Sequence, residues 1–283
     1  MVGYRFFAWS CRHALHRLLV LSAGLCLCVS TQATTLRVAL EDADNRPYSL
    51  RDASGAWAGF HIDLVRTVAE RLGWDVKLIA VPWARAQNML VQGTADAVIY
   101  IGRTPKRQSF AYFHPDNQLH VQLVRLYVRI RDADSIRYTP PLAEMMRIWR
   151  FGAPRGYFIG DEFETVVSAG APLDQTAATP EKLFAMLMAG RIDVAVAEIS
   201  AYPLVESRIR EVRSHVVPLP GIDFAGSPMY IAFRRQGDGP RLAEEFARAY
   251  AAWRQSEAYP RLAARYGVED RLPPGYRALR PAP

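Results

Sequence analysis

Apolar positions along this chain of 283 residues switch repeatedly between two periods. Leu36-Arg37-Val38-Ala39-Leu40 is a short apolar run of strand length, and a polar stretch from Asp42 to Gly59, broken by Pro47 and Gly55, follows it. Ile62, Val65, Val68, Ala69 and Leu72 then recur at helical spacing, Gly73 supplies a helix stop, and Val76 to Val81 reads as the next strand. Strands alternating with helices of this length predict an α/β fold with a parallel-rich sheet. The pattern resumes with a strand over 150–153 and a helix over 158–167. Thr179-Pro180 opens a further helix with a capping hydroxyl and a proline in the first turn. Two amphipathic helices over 240–254 and 257–265 close at Gly267, and the proline-rich segment 269–283 is predicted to be a disordered tail.

One stretch of the pattern occurs twice. Met89-Leu90-Val91-Gln92-Gly93-Thr94-Ala95-Asp96-Ala97-Val98 returns 97 positions later as Met186-Leu187-Met188-Ala189-Gly190-Arg191-Ile192-Asp193-Val194-Ala195. Each copy predicts a helix that ends at a glycine and a buried strand that begins just after an aspartate. Two copies at so long a period do not make a solenoid, but they do predict two lobes of common plan. Functional groups sit just beyond such strands. The first copy runs on to Thr104-Pro105-Lys106-Arg107, an anion clamp in the making, and the second to Glu198, a carboxylate for a cation.

Composition removes several possibilities. Arg5, Arg12 and Arg17 precede the apolar run Leu18 to Val29, and Thr31-Gln32-Ala33 forms a small-residue cleavage site, so residues 1–33 are expected to be a signal peptide cut near Ala33. That run is a dozen residues long, against roughly 20 for a membrane span. Cys11, Cys26 and Cys28 all lie within residues 1–33, which leaves the mature chain without disulfide or cysteine metal site. Cys26 and Cys28 each follow a leucine where a lipid anchor would require a small residue. Removing three arginines lowers Lys+Arg from 35 to 32 against 28 acids, so the formal charge falls from +7 to +4. The arginines are scattered, and no basic stripe for nucleic acid is present. His61, His114, His120 and His215 lack metal-ligand spacing and are expected to be structural or surface residues, with no cofactor or metal.

Leu119 to Ile130 and Met229 to Phe233 are apolar strands flanking the second part. If the chain leaves one lobe through the first and returns through the second, a two-strand hinge joins the lobes and permits closure around a ligand. The expected division is 34–123 with 229–268 as lobe 1 and 124–228 as lobe 2.

Gly59-Phe60-His61-Ile62-Asp63-Leu64, followed by Val68-Ala69 and Leu72, resembles the signature of family 3 periplasmic solute-binding proteins, the polar amino-acid receptors of ABC importers. The resemblance continues through Leu36-Arg37-Val38, Pro47-Tyr48-Ser49, Val81-Pro82-Trp83, 93–107, 152–156 and 190–198. It implies the type II, Venus-flytrap form of the α/β fold, a periplasmic location, a monomer, an amino acid or small carboxylate as ligand and an inner-membrane ABC permease as partner. His61 departs from the family, whose third position is acidic.

The resemblance also implies a site. Arg107 matches the family arginine that grips the ligand carboxylate, and a guanidinium fork suits that task on chemical grounds, the alternative being a structural ion pair. Glu198 falls where the family receives the ligand ammonium, unless it caps the helix that begins near Ser200. Arg155, Gly156 and Tyr157 match a turn before a helix whose free N–H groups would favour an anion. Tyr48 and Trp83 match aromatic walls, with simple core as the alternative. Arg85 is either a second cation in the cleft or a surface residue. Tyr100 lies in a segment one residue shorter than in the family and is counted with the site. The leading expectation is a binding protein, not an enzyme. Alternatives are a periplasmic enzyme resembling cyclohexadienyl dehydratase, with His61 and Glu198 as its acid-base candidates, and a ligand-sensing accessory protein.

Overall fold

The computed structural model describes residues 34–220 and 224–274. The signal peptide expected over 1–33 and the tail from 275 lie outside the described residues. No described helix is long and apolar enough to cross a membrane.

Twelve described strands form two main sheets and a small pair. In chain order they are β1 (Thr35–Glu41), β2 (Leu50–Arg51), β3 (Trp57–Ala58), β4 (Asp75–Val81), β5 (Ala97–Gly102), β6 (Ala111–Tyr112), β7 (Gln118–Gln122), β8 (Val124–Arg129), β9 (Phe151–Gly152), β10 (Val194–Glu198), β11 (Val216–Pro218) and β12 (Ser227–Arg234). The first sheet runs β4-β1-β5-β12-β6, with β7 also on β12, and the second runs β11-β8-β10-β9. β1 lies parallel to β4 and β5, whereas β12 is antiparallel to its neighbours. Each sheet carries its own apolar core. Leu36, Val38, Phe60, Ile62 and Phe233 lie in one, and Val124, Leu126, Phe151, Phe163 and Val194 in the other. Each fully buried side chain of this kind contributes about 2 kcal/mol, so both halves carry enough apolar burial to specify a sheet. The result is the two-lobed α/β fold expected from the pattern. The chain crosses between sheets at Leu123 and returns between β11 and β12.

The internal echo is realised atom for atom. Gly93 and Gly190 adopt left-handed conformations, φ 66 and 71°, directly after helices Trp83–Val91 and Pro180–Met188. There an L side chain would crowd its own carbonyl. Each following aspartate is then clamped by an arginine. The main-chain N–H, Nε and Nη2 of Arg37 reach the Asp96 carboxylate at 3.0, 2.9 and 2.8 Å, and Nη2 also donates to the Gly93 carbonyl. Arg150 binds Asp193 through the same three groups at 3.1, 2.8 and 2.7 Å, and its Nη2 donates to the Gly190 carbonyl.

Two elements depart from expectation. The helix expected over 158–167 is Asp161–Ser168, because Phe158 is held ahead of it by a Gln122 side-chain bond to its carbonyl (2.9 Å) and by packing against Gly102. The tail expected from 269 begins with order. Glu269–Arg271 forms a 3-10 helix, and Leu272 packs in the first core.

Candidate ligand-binding site

A cavity of about 620 Å³ lies between the two sheets, lined by the carboxyl ends of β1, β5 and β10 and the loops beyond them. That is where ligands bind in open α/β sheets. Both lobes contribute to its walls and touch across it. Trp83 Nε1 donates to the Gly156 carbonyl at 2.9 Å, Tyr157 donates to Glu41 at 2.7 Å, and Arg208 meets Asp44 at 2.9 Å.

Arg107 is brought to the cavity by a capped turn. Thr104 Oγ1 accepts the Arg107 N–H at 3.2 Å and Pro105 occupies the first position of the helix Pro105–Gln108. The side chain is buried between the Trp83 and Phe158 rings. Its Nη1 donates to the Gly102 carbonyl and its Nη2 to the Gly156 carbonyl, both at 2.9 Å. Two of the five guanidinium donors are used, both on neutral acceptors, which leaves three. Burial pushes its pKa down to about 10, opposed only at a distance by Glu164. No carboxylate among the described residues pairs with it. A buried cation so placed has a strong preference for an anion in the cavity.

Glu198 ends β10 and lines the same cavity. Its Oε2 accepts from the Ser200 N–H at 2.7 Å and from the Ser200 hydroxyl, while Oε1 faces Arg271 Nη1 at 3.3 Å. Burial raises its pKa, opposed by Ser200 and Arg271. The capping role considered for Glu198 is therefore present, and its charge is met from within the chain.

The remaining expected residues divide. Trp83, Tyr100, Arg155 and Tyr157 line the cavity; Gly156 offers its carbonyl to Trp83 and Arg107. Arg155 is exposed and donates to the carbonyls of Gln175 and Thr176. Tyr48 lies behind the wall, fully buried, with its ring 4.8 Å from His61 and 4.1 Å from His120. Arg85 is exposed and outside the cavity. The anion site expected at the helix after Tyr157 is not presented. Asp161 opens that helix, its N–H donates to Ser227 Oγ at 3.0 Å, and Asp161, Glu162 and Glu164 crowd its first turn with negative charge.

Tyr100 stands out within the segment expected to be shortened. It is the one described non-glycine residue with positive φ, 62°, and it stands unmatched on β5 where the register with β12 shifts between Tyr230 and Ile231. A bulge in this conformation re-aims a side chain at some cost in strain. His61 meets Tyr100 edge-on, with ring centroids 5.2 Å apart; its Nε2 lies 3.0 Å from His120 Nδ1, and burial pulls its pKa down to about 3. It does not line the cavity, so the acid-base position considered for it is not there.

Glu41, Asp44, Glu181, Arg208 and Arg271 escaped the sequence reading. Glu41 had a usable signal, since it is the last residue of β1. Arg271 had none, because it lies after the last predicted helix.

Residues 36–129 match the family model of bacterial extracellular solute-binding proteins, family 3. Among solved structures, a histidine kinase sensor domain with similarity to periplasmic binding proteins is 26% identical with TM-score 0.66, covering 86% of this chain and 99% of its own. A periplasmic His/Glu/Gln/Arg/opine family-binding protein from Silicibacter pomeroyi, in complex with lysine, is 19% identical with TM-score 0.65 over 84% and 99%. An ancestral amino acid-binding protein, a precursor of cyclohexadienyl dehydratase, is 23% identical with TM-score 0.61 over 82% and 95%. No curated protein matches the chain. The fold is that of the two-lobed periplasmic binding proteins, and the family resemblance drawn from the sequence stands.

Proposed function

On the premise of a family 3 solute-binding fold, we propose that this protein is a periplasmic receptor that captures a small carboxylate-bearing solute, an amino acid or a close relative, and delivers it to an inner-membrane ABC importer. The observation that carries the reading is Arg107, a buried guanidinium on the wall of a cavity shared by both lobes, without a carboxylate partner among the described residues. A ligand carboxylate supplies the missing charge and takes up the free donors. Trp83 and Tyr157 close over it, and Tyr100 forms the floor. The lobes are 34–123 with 229–268, extended by the ordered segment to 274, and 124–228; they hinge at the two crossings. Ligand contact with both lobes shifts the population toward the closed form. Residues 1–33 direct export and are removed near Ala33, and the mature receptor works as a monomer.

A thermal-shift screen of the mature chain against amino acids and small carboxylates tests the reading. Ligand at a hundredfold excess over Kd stabilises the native state by about 2.7 kcal/mol. At roughly 2–4 °C per kcal/mol this gives a shift of about 5–10 °C. The shift should vanish in Arg107→Ala. No response from any carboxylate, or a response indifferent to Arg107, sinks the proposal.

The likeness to the kinase sensor domain favours a second reading, in which the same binding event is read by a separate membrane protein. Uptake of labelled ligand by cells with and without the gene separates them. Transport predicts loss of uptake on deletion, and sensing predicts normal uptake with a lost transcriptional response.

A further inference from the structure

One ring behind the cavity floor lies a buried polar pair that ligand binding does not use. His61, on the helix Phe60–Arg71, and His120, on β7, are fully buried, with His61 Nε2 3.0 Å from His120 Nδ1. In the neutral pair one proton fills that contact, whichever ring carries it. The outer nitrogens, His61 Nδ1 and His120 Nε2, are buried without a partner. Tyr48 and Tyr100 box the pair in, the four ring centroids lying 4.1 to 5.2 Å apart. Of these rings only Tyr100 lines the cavity.

These surroundings are hostile to a second proton. The titratable or charged groups facing the pair are Tyr48 from the loop after β1, Tyr100 from β5 and Arg271 from the 3-10 helix Glu269–Arg271, and among the described residues no carboxylate bonds either ring. A charged imidazole here would be desolvated with no counter-ion. Burial holds His61 at about 3, and burial, His61 and Arg271 together keep His120 well below its usual value. Position adds to this. His120 stands opposite Met229 of β12, β7 leads to the crossing at Leu123, and β12 is the strand by which the chain returns.

We propose that His61 and His120 form an acid-sensitive lock at the root of the hinge: neutral, they hold β7, β12 and the helix Phe60–Arg71 together behind the cavity floor, and a proton entering the pair drives them apart. The lock goes beyond the receptor reading and stands without it. In the unfolded chain both imidazoles take up protons as pH falls through about 6.5, whereas in the folded protein they do so only far lower. The stabilisation is therefore complete above about pH 6.5 and is lost as pH falls from there toward the folded values, a window that opens above the carboxylate range near pH 4.

Urea denaturation of the mature chain at pH 7.5 and pH 5 tests the lock. Each histidine should raise the unfolding constant by about 30-fold between the two, and the pair by about a thousandfold. The double variant His61→Gln with His120→Asn puts an amide group where each bonded ring nitrogen stands and takes up no proton. Its change over the same interval should be at least about 30-fold smaller than that of the wild type, and any lesser difference overturns the lock. Proton NMR of the wild-type histidine rings needs no variant to fold. Both buried rings should keep their neutral shifts from pH 7.5 to 5, and a buried ring that titrates within that interval in the folded protein overturns the proposal. Hydrogen exchange, corrected for the intrinsic effect of pH, locates the response: β7 and β12 should lose more protection at pH 5 than β8 and β10, which lie in the sheet without the pair. Equal or greater loss in β8 and β10 overturns its placement at the hinge.

Discussion

Around Gly93 and Gly190 the two lobes make one joint twice. In each, a helix stops on a left-handed glycine, and an arginine from a neighbouring strand or its edge binds the aspartate through its main-chain N–H, Nε and Nη2 and the glycine carbonyl through Nη2. A second arginine completes each pair, Arg234 at 3.6 Å from Asp96 and Arg129 at 3.0 Å from Asp193. Beyond the joint the copies part. β5 bulges at Tyr100 and leads to Arg107, a buried cation with neutral partners, while β10 runs without interruption to Glu198, an acid already matched by Arg271. Repetition therefore explains the scaffold and not the binding chemistry. The repeated residues satisfy one another, and the functional charges lie where repetition ends.

The comparison predicts effects of decreasing size. Arg107→Ala should weaken ligand binding by about 100-fold or more, close to the 3 kcal/mol of a strong charge-assisted contact, with little change in the melting of the empty protein. If melting falls sharply instead, Arg107 is a structural residue like Arg37. Asp96→Ala and Asp193→Ala should each lower stability in urea by about 2 kcal/mol, less than a fully buried pair would cost, because the clamping arginines Arg37 and Arg150 reach solvent. Asp96 should cost the more, with 8% of its side chain exposed against 13% for Asp193. A difference of several kcal/mol would break the claim that the joints are equivalent. Gly93→Ala and Gly190→Ala should each cost about 1 kcal/mol through the left-handed backbone, again as a matched pair.

Acid should act on both joints. Burial pushes the Asp96 pKa up but the Arg37 contacts outweigh it, and the Arg150 hydrogen bonds pull Asp193 down despite burial. Folded values lie below unfolded ones, so the stabilisation is complete above the ordinary carboxylate range near pH 4 and is lost as pH falls through the folded values. Denaturation followed from pH 6 down to 2.5 should show that decline, and Asp96→Asn or Asp193→Asn should flatten it. The smallest effect expected is that of Glu198→Gln on affinity, under about threefold because Arg271 already answers its charge.

What the sequence made legible follows the same division. Period and punctuation located both sheets, because strand burial and glycine stops are local matters: β1, β4 and β10 and the helix Pro180–Met188 lie where the apolar runs and Thr179-Pro180 put them. Arg107, Trp83 and Tyr157 were found by motif and do reach one cavity. Tyr48 was placed one layer too far forward, since an aromatic wall and an aromatic behind a wall look alike in one dimension. The pairing of Glu198 was invisible for a plainer reason. Its partner Arg271 is 73 residues away, in a segment whose prolines suggested disorder, and the packing of Val268 and Leu272 together with a bond to the Tyr48 hydroxyl fixes it there. The meeting of His61 with His120, 59 residues apart, was hidden in the same way.

A crystal structure of the mature chain with a bound amino acid tests the central claim most directly. The account predicts the ligand carboxylate on the Arg107 guanidinium, with N–O distances of about 2.7–2.9 Å, while Asp96 and Asp193 keep their arginine clamps unchanged. A carboxylate bound elsewhere, with Arg107 still engaged only by the Gly102 and Gly156 carbonyls, would contradict it.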